Sequence, residues 1–314
     1  MEQFHGLEIL AKAKLSMDQI QTKLNIGCSG IEIQLLNELK GPNGWLTLEE
    51  VFDLESFSTV PVTAVHAPII SGMGDLTIEQ LADEDAIVFY ETCRLAEFFG
   101  EKQNKTITVV IHSETYLEYI EGIGSTLSNI ESMVQTALDC YPHIRIGIEN
   151  VSPLRGVGKG GDLHLANNFK FDNVKLAKRL RFDLATDRVG TVLDTCHAML
   201  AKKYIEVLYN AMGDRPQEDL YMASFFNANK DTCFLIHLCG YKSSGYGKGR
   251  HGTPFLPDDV ADVAVVGYLL KLYSTLGYTC PITLEVEETD FAVCDGYTNT
   301  LQTVRKVLHN GGLK

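Results

Sequence analysis

The sequence predicts a (β/α)8 barrel, in which eight parallel strands are each followed by a helix. Two observations indicate this fold. Eight short apolar segments alternate with eight segments of helical spacing, and residues that can bind metals recur where the apolar segments end. The carboxyl ends of all strands in such a barrel open onto one face, so these residues would converge there.

The eight strand candidates are near-continuous apolar runs rather than clean alternations of apolar and polar residues. Parallel strands covered by helices require such runs, because both of their faces are buried. We expect the strands at 5–10, 30–36, 62–67, 107–112, 144–150, 189–195, 233–238 and 282–287.

The segments that alternate with these strands have the apolar spacing of helices. We expect helices at 17–24, 46–57, 78–99, 126–140, 172–185, 216–227, 257–276 and 297–309. A doubly wound open sheet is the competing layout, but it gathers its ligand at one switch point rather than from six strands. The sequence also contains neither GxGxxG after an early strand nor GxxxxGK[ST], so the barrel is favoured.

Bulk composition fits a single TIM-barrel domain over 1–314. The chain has 314 residues, of which 45% are hydrophobic and 22% charged, and no linker divides it. No leader-like segment or apolar run of membrane length (about 18 residues) occurs, so we expect a cytoplasmic protein without a membrane partner. Eight cysteines without a CxxC pair predict a reducing compartment, with no disulfide framework and no thiolate-bound zinc, and several of them lie in apolar runs where a thiol acts as a small hydrophobe. The net charge of −14 argues against a broad nucleic-acid surface.

Histidines and carboxylates that can bind a divalent metal follow the predicted strands. A lone histidine in an apolar run is usually a hydrogen-bonded core residue, and a glutamate at a strand end can simply cap a helix. Eight such residues at successive strand ends are hard to explain by coincidence. The core of the set is Glu149, Asp194, His237 and Glu285, and the remaining candidates are His66, His112, His197 and His251. The other four histidines are interpreted as ordinary surface or packing residues.

Several motifs resemble those of the xylose isomerase-like TIM barrel superfamily, which includes sugar isomerases, sugar epimerases and endonuclease IV. LDTCHA at 193–198 resembles the LDTCH segment of endonuclease IV and the DTFH segment of ketose 3-epimerases. IGIEN at 146–150, HL at 237–238 with KS at 242–243, RH at 250–251 and LE at 284–285 extend the resemblance along nearly the whole chain. The resemblance implies an enzyme with one to three divalent ions, zinc or manganese, on the eight candidate ligands.

The chain also departs from the endonuclease IV pattern. Gly249 stands where that family places an aspartate for its third zinc, so a third ion held only by His197 and His251 is expected to bind weakly. The segment HAPII at 66–70 lacks the family's tyrosine, and EIQLLNELKG at 32–41 lacks its arginine-bearing DNA loop. The residues that would bend DNA and flip a nucleotide are therefore not visible.

The resemblance to sugar epimerases implies a different reaction on the same ligands. Glu149 and Glu285 would remove and return a proton on opposite sides of the substrate, with the metal stabilising an enediolate. Arg250, Lys242 and Lys248, in a glycine-rich loop, would bind substrate. The sequence thus favours an isomerase or epimerase of a small sugar or sugar phosphate. The alternatives are an endonuclease IV-like hydrolase of abasic-site phosphodiesters, with nucleic acid as partner, and a non-catalytic barrel that binds a metal or metabolite.

Overall fold

The computed structural model describes residues 6–42, 44–70, 74–75, 77–83, 86–113, 124–151, 154–157, 163–165, 172–200, 218–244, 248–288 and 294–310. Within these residues eight parallel strands close into a barrel, each paired with its neighbours in chain order and the last with the first. This confirms the predicted (β/α)8 TIM barrel. The strands are β1 (Ile9–Ala13), β2 (Gly30–Gln34), β3 (Val62–His66), β4 (Ile107–His112), β5 (Ile144–Glu149), β6 (Val189–Asp194), β7 (Cys233–Leu238) and β8 (Ile282–Leu284).

Helices lie between the strands and pack on the outside of the barrel. Large apolar side chains, among them Phe89, Phe99, Phe225 and Phe226, are fully buried in the core. No helix within the described ranges combines the length and the hydropathy of a membrane span. The helices whose two ends both lie within the described residues are α1 (Met17–Asn25), α2 (Leu48–Val51), α3 (Ile78–Asp83), α4 (Ala86–Gln103), α5 (Gly124–Cys140), α6 (Asp172–Asp183), α7 (Glu218–Asn229), α8 (Val260–Thr275) and α9 (Asp295–His309).

Three of the predicted elements differ markedly from the observed ones, and the others differ only by a few residues at their ends. The first strand begins at Ile9, four residues later than expected, because the buried run is ILAKA rather than HGLEIL. The helix expected at 46–57 is reduced to α2 and a 3-10 turn, because the extended backbone at Phe52 ends α2 after one turn. The helix expected at 78–99 forms two helices, α3 and α4, and residues 84–85 between them lie outside the described residues.

Short antiparallel hairpins follow the carboxyl ends of several strands. The one after β7, here called the β7 hairpin, pairs Gly240–Ser244 with Lys248–Thr253. Its register places the Lys242 position opposite Arg250. All three residues proposed to bind substrate therefore belong to this hairpin, which also carries His251.

The interior of the barrel is divided into an apolar layer and a polar layer. Side chains from five strands form a small apolar cluster separate from the main core: Leu10, Ala64, Val110, Val192 and Leu235. Residues two positions apart on a strand face the same side of the sheet. Two residues beyond these five come Lys12, His66, His112, Asp194 and His237, all of them buried. The polar layer therefore lies directly above the apolar one, at the carboxyl ends of the strands.

Candidate metal centre

The first group of possible ligands comprises His66, His112 and Glu149, all buried. The Nε2 atoms of both histidines lie 3.2 Å from the same carboxylate oxygen, Oε2 of Glu149. The Nδ1–H of His66 donates to the Ala67 carbonyl at 2.8 Å, which leaves the Nε2 lone pair directed at the carboxylate. Burial lowers the pKa of His66, which favours the neutral imidazole that metal binding needs. Two acceptor atoms facing each other at this distance need a proton or a metal ion between them.

The second group comprises Glu149, Asp194, His237 and Glu285, whose ligand atoms all lie within 4.8 Å of one another. His237 Nδ1 is 3.1 Å from Glu149 Oε1 and 2.9 Å from Glu285 Oε2. Glu149 thus contributes one oxygen to each group. A carboxylate used in this way is suited to bridge two metal ions.

Two residues of this site, Lys12 and Glu32, were not among the sequence-predicted ones. Glu32 is fully buried on β2, and its Oε2 accepts hydrogen bonds from His237 Nε2 at 2.9 Å and Thr283 Oγ1 at 2.7 Å. Hydrogen bonding of the far ring nitrogen to a carboxylate is the usual support of a metal-binding histidine. Lys12 on β1 donates to Glu285 Oε1 at 2.5 Å and lies 3.4 Å from Glu32 Oε1. The sequence did contain a signal for both residues, because a charged side chain inside an apolar strand segment, as in ILAKA and GIEIQ, is unusual.

The electrostatics of the centre favour a divalent cation. Four carboxylates converge here (Glu32, Glu149, Asp194 and Glu285), and Lys12 is the permanent cation among the described side chains that contact them. Burial disfavours the charged form of Glu149, yet the imidazoles of His237 and His112 hold the pKa of Glu149 well below its usual value. Burial likewise opposes protonation of His237, but Glu149, Glu32 and Glu285 raise its pKa well above the usual value. A metal ion would supply the positive charge that protons otherwise provide, so the donor set fits the group that the sequence implied.

A third group, Asp194, Cys196, Cys239 and His251, lies beside the second and shares Asp194 with it. His251 Nε2 is 3.2 Å from Asp194 Oδ2, and Cys239 Sγ is 3.6 Å from the same nitrogen. Both cysteines are fully buried. The sequence predicted no thiolate-bound zinc, whereas these two cysteines lie beside a carboxylate and an imidazole.

The structure does not place His197 in any of the three groups found among the described residues. Its Nδ1–H donates to the Asn150 carbonyl at 2.7 Å, and its ring centroid lies 4.6 Å from that of His251. The Asn150 side chain binds the backbone of Asp194 at both its amide nitrogen and its carbonyl oxygen, so it holds the ends of β5 and β6 together. His143, interpreted as ordinary from the sequence, pairs with Glu97 at 2.8 Å, outside the three groups.

Comparison with known proteins gives structural matches only. No protein-family model matches the chain, and no curated protein does. A xylose isomerase domain protein from Planctomyces limnophilus is similar over 99% of this chain and 100% of its own, with a TM-score of 0.59 and 11% identity. A xylose isomerase-like TIM barrel protein from Mycobacterium smegmatis, in complex with magnesium, covers 100% of both chains with a TM-score of 0.54 and 14% identity.

The IolI protein, whose structure contains a zinc atom, is similar over 97% of both chains, with a TM-score of 0.55 and 16% identity. Identities this low establish a shared fold and not a shared activity. The chain therefore has the fold of the xylose isomerase-like TIM barrels.

Proposed function

We propose that this protein is a metal-dependent hydrolase of phosphate esters that uses two divalent ions on either side of Glu149. The observation that carries the proposal is the position of the two Glu149 oxygens. Oε2 faces His66 and His112, and Oε1 faces His237. This arrangement favours a bridging ligand, and two-metal centres are typical of phosphoester hydrolysis.

The same observation argues against Glu149 as a mobile proton carrier. A glutamate that removes and returns a substrate proton needs one oxygen within reach of the substrate. Three imidazoles lie within 3.2 Å of the Glu149 carboxylate oxygens and a fourth, that of His197, lies at 3.7 Å; the Glu149 side chain is 1% exposed. The sequence alone favoured isomerisation, and the surroundings of Glu149 favour hydrolysis instead.

The ligand chemistry suits zinc, manganese or a mixture of the two. Imidazole and carboxylate donors bind both metals. Of the proteins of similar fold described above, IolI contains zinc and the Mycobacterium smegmatis protein contains magnesium. Divalent ions at such a centre activate water and neutralise the charge that develops on a phosphoryl group. His66 and His112 are proposed to hold one ion with Glu149, while Asp194, His237 and Glu285 complete the other site.

Glu285 is the most exposed of the three carboxylates in the second group. Its side chain is 16% exposed, whereas those of Glu149 and Asp194 are at most 1% exposed. The Lys12 ammonium holds Oε1 of Glu285 and thereby fixes the direction of the other oxygen. Of the three carboxylates in the second group, Glu285 is therefore the one nearest to the opening through which water and substrate would reach the ions.

The substrate is proposed to be a small phosphate mono- or diester. Arg250, Lys242 and Lys248 belong to the β7 hairpin, next to His251, and their charges suit a phosphate group. The net charge of −14 and the absence of the arginine-bearing loop make duplex DNA a less suitable substrate.

A second candidate function is isomerisation or epimerisation of a sugar at a single metal. It is favoured by the second group alone, which offers four ligands without help from His66 or His112. In this alternative Glu285, held by Lys12, would be the main proton carrier.

The double variant His66→Ala/His112→Ala distinguishes the two reactions. The hydrolase proposal predicts that the variant retains about one metal ion fewer per chain and loses most of its activity on bis(p-nitrophenyl) phosphate. His143→Ala is the matched control, because His143 pairs with Glu97 outside the centre. Isomerase activity on a ketose panel that survives the double substitution would overturn the proposal, and abasic-site DNA in the same assays tests the nucleic-acid alternative.

A further inference from the structure

The third group brings together ligand atoms from three separate parts of the chain. Asp194 ends β6, Cys196 follows two residues later, Cys239 directly follows β7, and His251 returns on the second strand of the β7 hairpin. Gly252 makes this return possible. It has a φ of +76°, and a Cβ there would lie 2.8 Å from the Glu287 Cβ.

The separations within the group match those of a tetrahedral zinc site. Zinc bonds of about 2.3 Å to sulfur and about 2.0–2.1 Å to nitrogen or oxygen place nitrogen and oxygen about 3.4 Å apart, and sulfur about 3.6 Å from either. His251 Nε2 is 3.2 Å from Asp194 Oδ2, and Cys239 Sγ is 3.6 Å from that nitrogen and 3.8 Å from that oxygen. Cys196 Sγ completes the group within 4.8 Å of every other ligand atom.

Buried cysteines elsewhere in the described residues do not show this arrangement. Cys28, Cys93 and Cys294 are buried as well, but none of them joins a group of potential metal ligands there. Burial alone therefore does not account for the position of Cys196 and Cys239. Two thiols, an imidazole and a carboxylate form a set that is softer than the two neighbouring groups.

We infer that Asp194, Cys196, Cys239 and His251 form a thiolate-containing metal site that selects zinc or a similarly soft ion. The ion fastens the β7 hairpin, through His251, to the ends of β6 and β7. It thereby fixes the position of the basic residues of that hairpin relative to the barrel. The inference does not depend on which reaction the neighbouring groups catalyse.

Cobalt substitution tests this site by a signal that the other two groups cannot produce. Cobalt(II) bound to thiolate gives an intense near-ultraviolet charge-transfer band, which imidazole and carboxylate ligands do not give. We expect the full-length, metal-stripped protein to develop this band on titration with cobalt chloride. Cys239→Ser should abolish it, whereas Cys93→Ser, at a buried cysteine on α4, should retain it.

Zinc X-ray absorption on the unaltered protein gives a second measurement that needs no variant. Sulfur scatterers at about 2.3 Å are expected. Loss of an outer-shell partner already weakens metal binding about 10–100-fold, so loss of the Cys239 ligand should weaken zinc at this site by at least that factor. A zinc-loaded protein with nitrogen and oxygen scatterers only, or a cobalt band that survives in Cys239→Ser, would overturn the inference. If the unaltered protein shows the cobalt–thiolate band but has no phosphoesterase activity, the result would contradict the proposed function and leave this inference standing.

Discussion

Replacement of Lys12 by Met tests how the four carboxylates of the centre are balanced in the metal-free protein. The ammonium lies 2.5 Å from Glu285 Oε1 and 3.4 Å from Glu32 Oε1, and its side chain is 8% exposed. At an effective dielectric constant of about 20, these separations of 2.5 and 3.4 Å correspond to attractions of about 6.6 and 4.9 kcal/mol. Desolvation of the ammonium offsets much of this attraction. We therefore expect a net loss of about 3–5 kcal/mol in the free energy of unfolding, the range for removing one partner of a buried ion pair.

The loss should depend on pH in a defined direction. Burial opposes ionisation of Glu285, but Lys12 and His237 hold its pKa well below 4.5 in the folded protein. A carboxylate whose pKa is lowered by folding stabilises the folded state at any pH above its unfolded-state pKa. This stabilisation is lost progressively as the pH falls from the unfolded-state pKa to the folded-state pKa. The difference between Lys12→Met and the unaltered protein should therefore be full at pH 7 and shrink as the pH falls below about 4.5.

Urea denaturation of the metal-free protein, followed by circular dichroism, measures this difference. Lys102→Met is the matched control, because the Lys102–Glu55 pair is at the surface, with side chains 36% and 70% exposed. The control should change the free energy of unfolding by at most about 1 kcal/mol. If Lys12→Met and Lys102→Met have the same effect at pH 7, the reasoning about the buried carboxylates is refuted.

Three further substitutions give independent tests. Glu32→Gln removes the carboxylate that supports His237, so metal affinity measured by calorimetry should fall about 10–100-fold; an unchanged affinity would contradict this role. Gly252→Ala places a Cβ on a residue with left-handed backbone and brings it against Glu287. We expect the free energy of unfolding, measured by urea denaturation, to fall by about 1–2 kcal/mol. A fall below about 0.5 kcal/mol, the scatter of a neutral surface substitution, would contradict the strain. Burial lowers the pKa of Lys23 to about 8, so the unaltered protein should gain stability relative to Lys23→Met as the pH rises from 8 towards the unfolded-state pKa of 10.5; a constant difference in urea denaturation would show that Lys23 is not the titrating group.

The strand ends were the part of the site that the sequence could predict. A polar residue at the end of a buried strand stands out against its apolar run, and period-two alternation places it above the interior layer, as for Val192 and Asp194. Lys12 escaped notice because β1 was expected at 5–10, which left this lysine beyond the strand. Glu32 lies in the middle of its predicted strand rather than at its end, and only the closed barrel brings it against His237.

The cysteine-containing group depends on contacts that no local pattern reveals. Cys239 and Asp194 are 45 residues apart, and His251 reaches them only because the β7 hairpin folds back. A buried thiol in an apolar run has the same sequence signature whether it packs or binds a metal. The three-dimensional arrangement was therefore needed to separate Cys196 and Cys239 from a packing cysteine such as Cys93.

Anomalous diffraction at the zinc edge, from crystals grown with zinc, tests the central claim that Glu149 bridges two ions. We predict one peak on each side of the Glu149 carboxylate, one beside His66 and His112 and the other beside His237 and Glu285, in addition to a separate peak at the cysteine-containing third group. A single peak in the second group, with His66 and His112 bound to no ion, would contradict the claim and favour a single-metal isomerase instead.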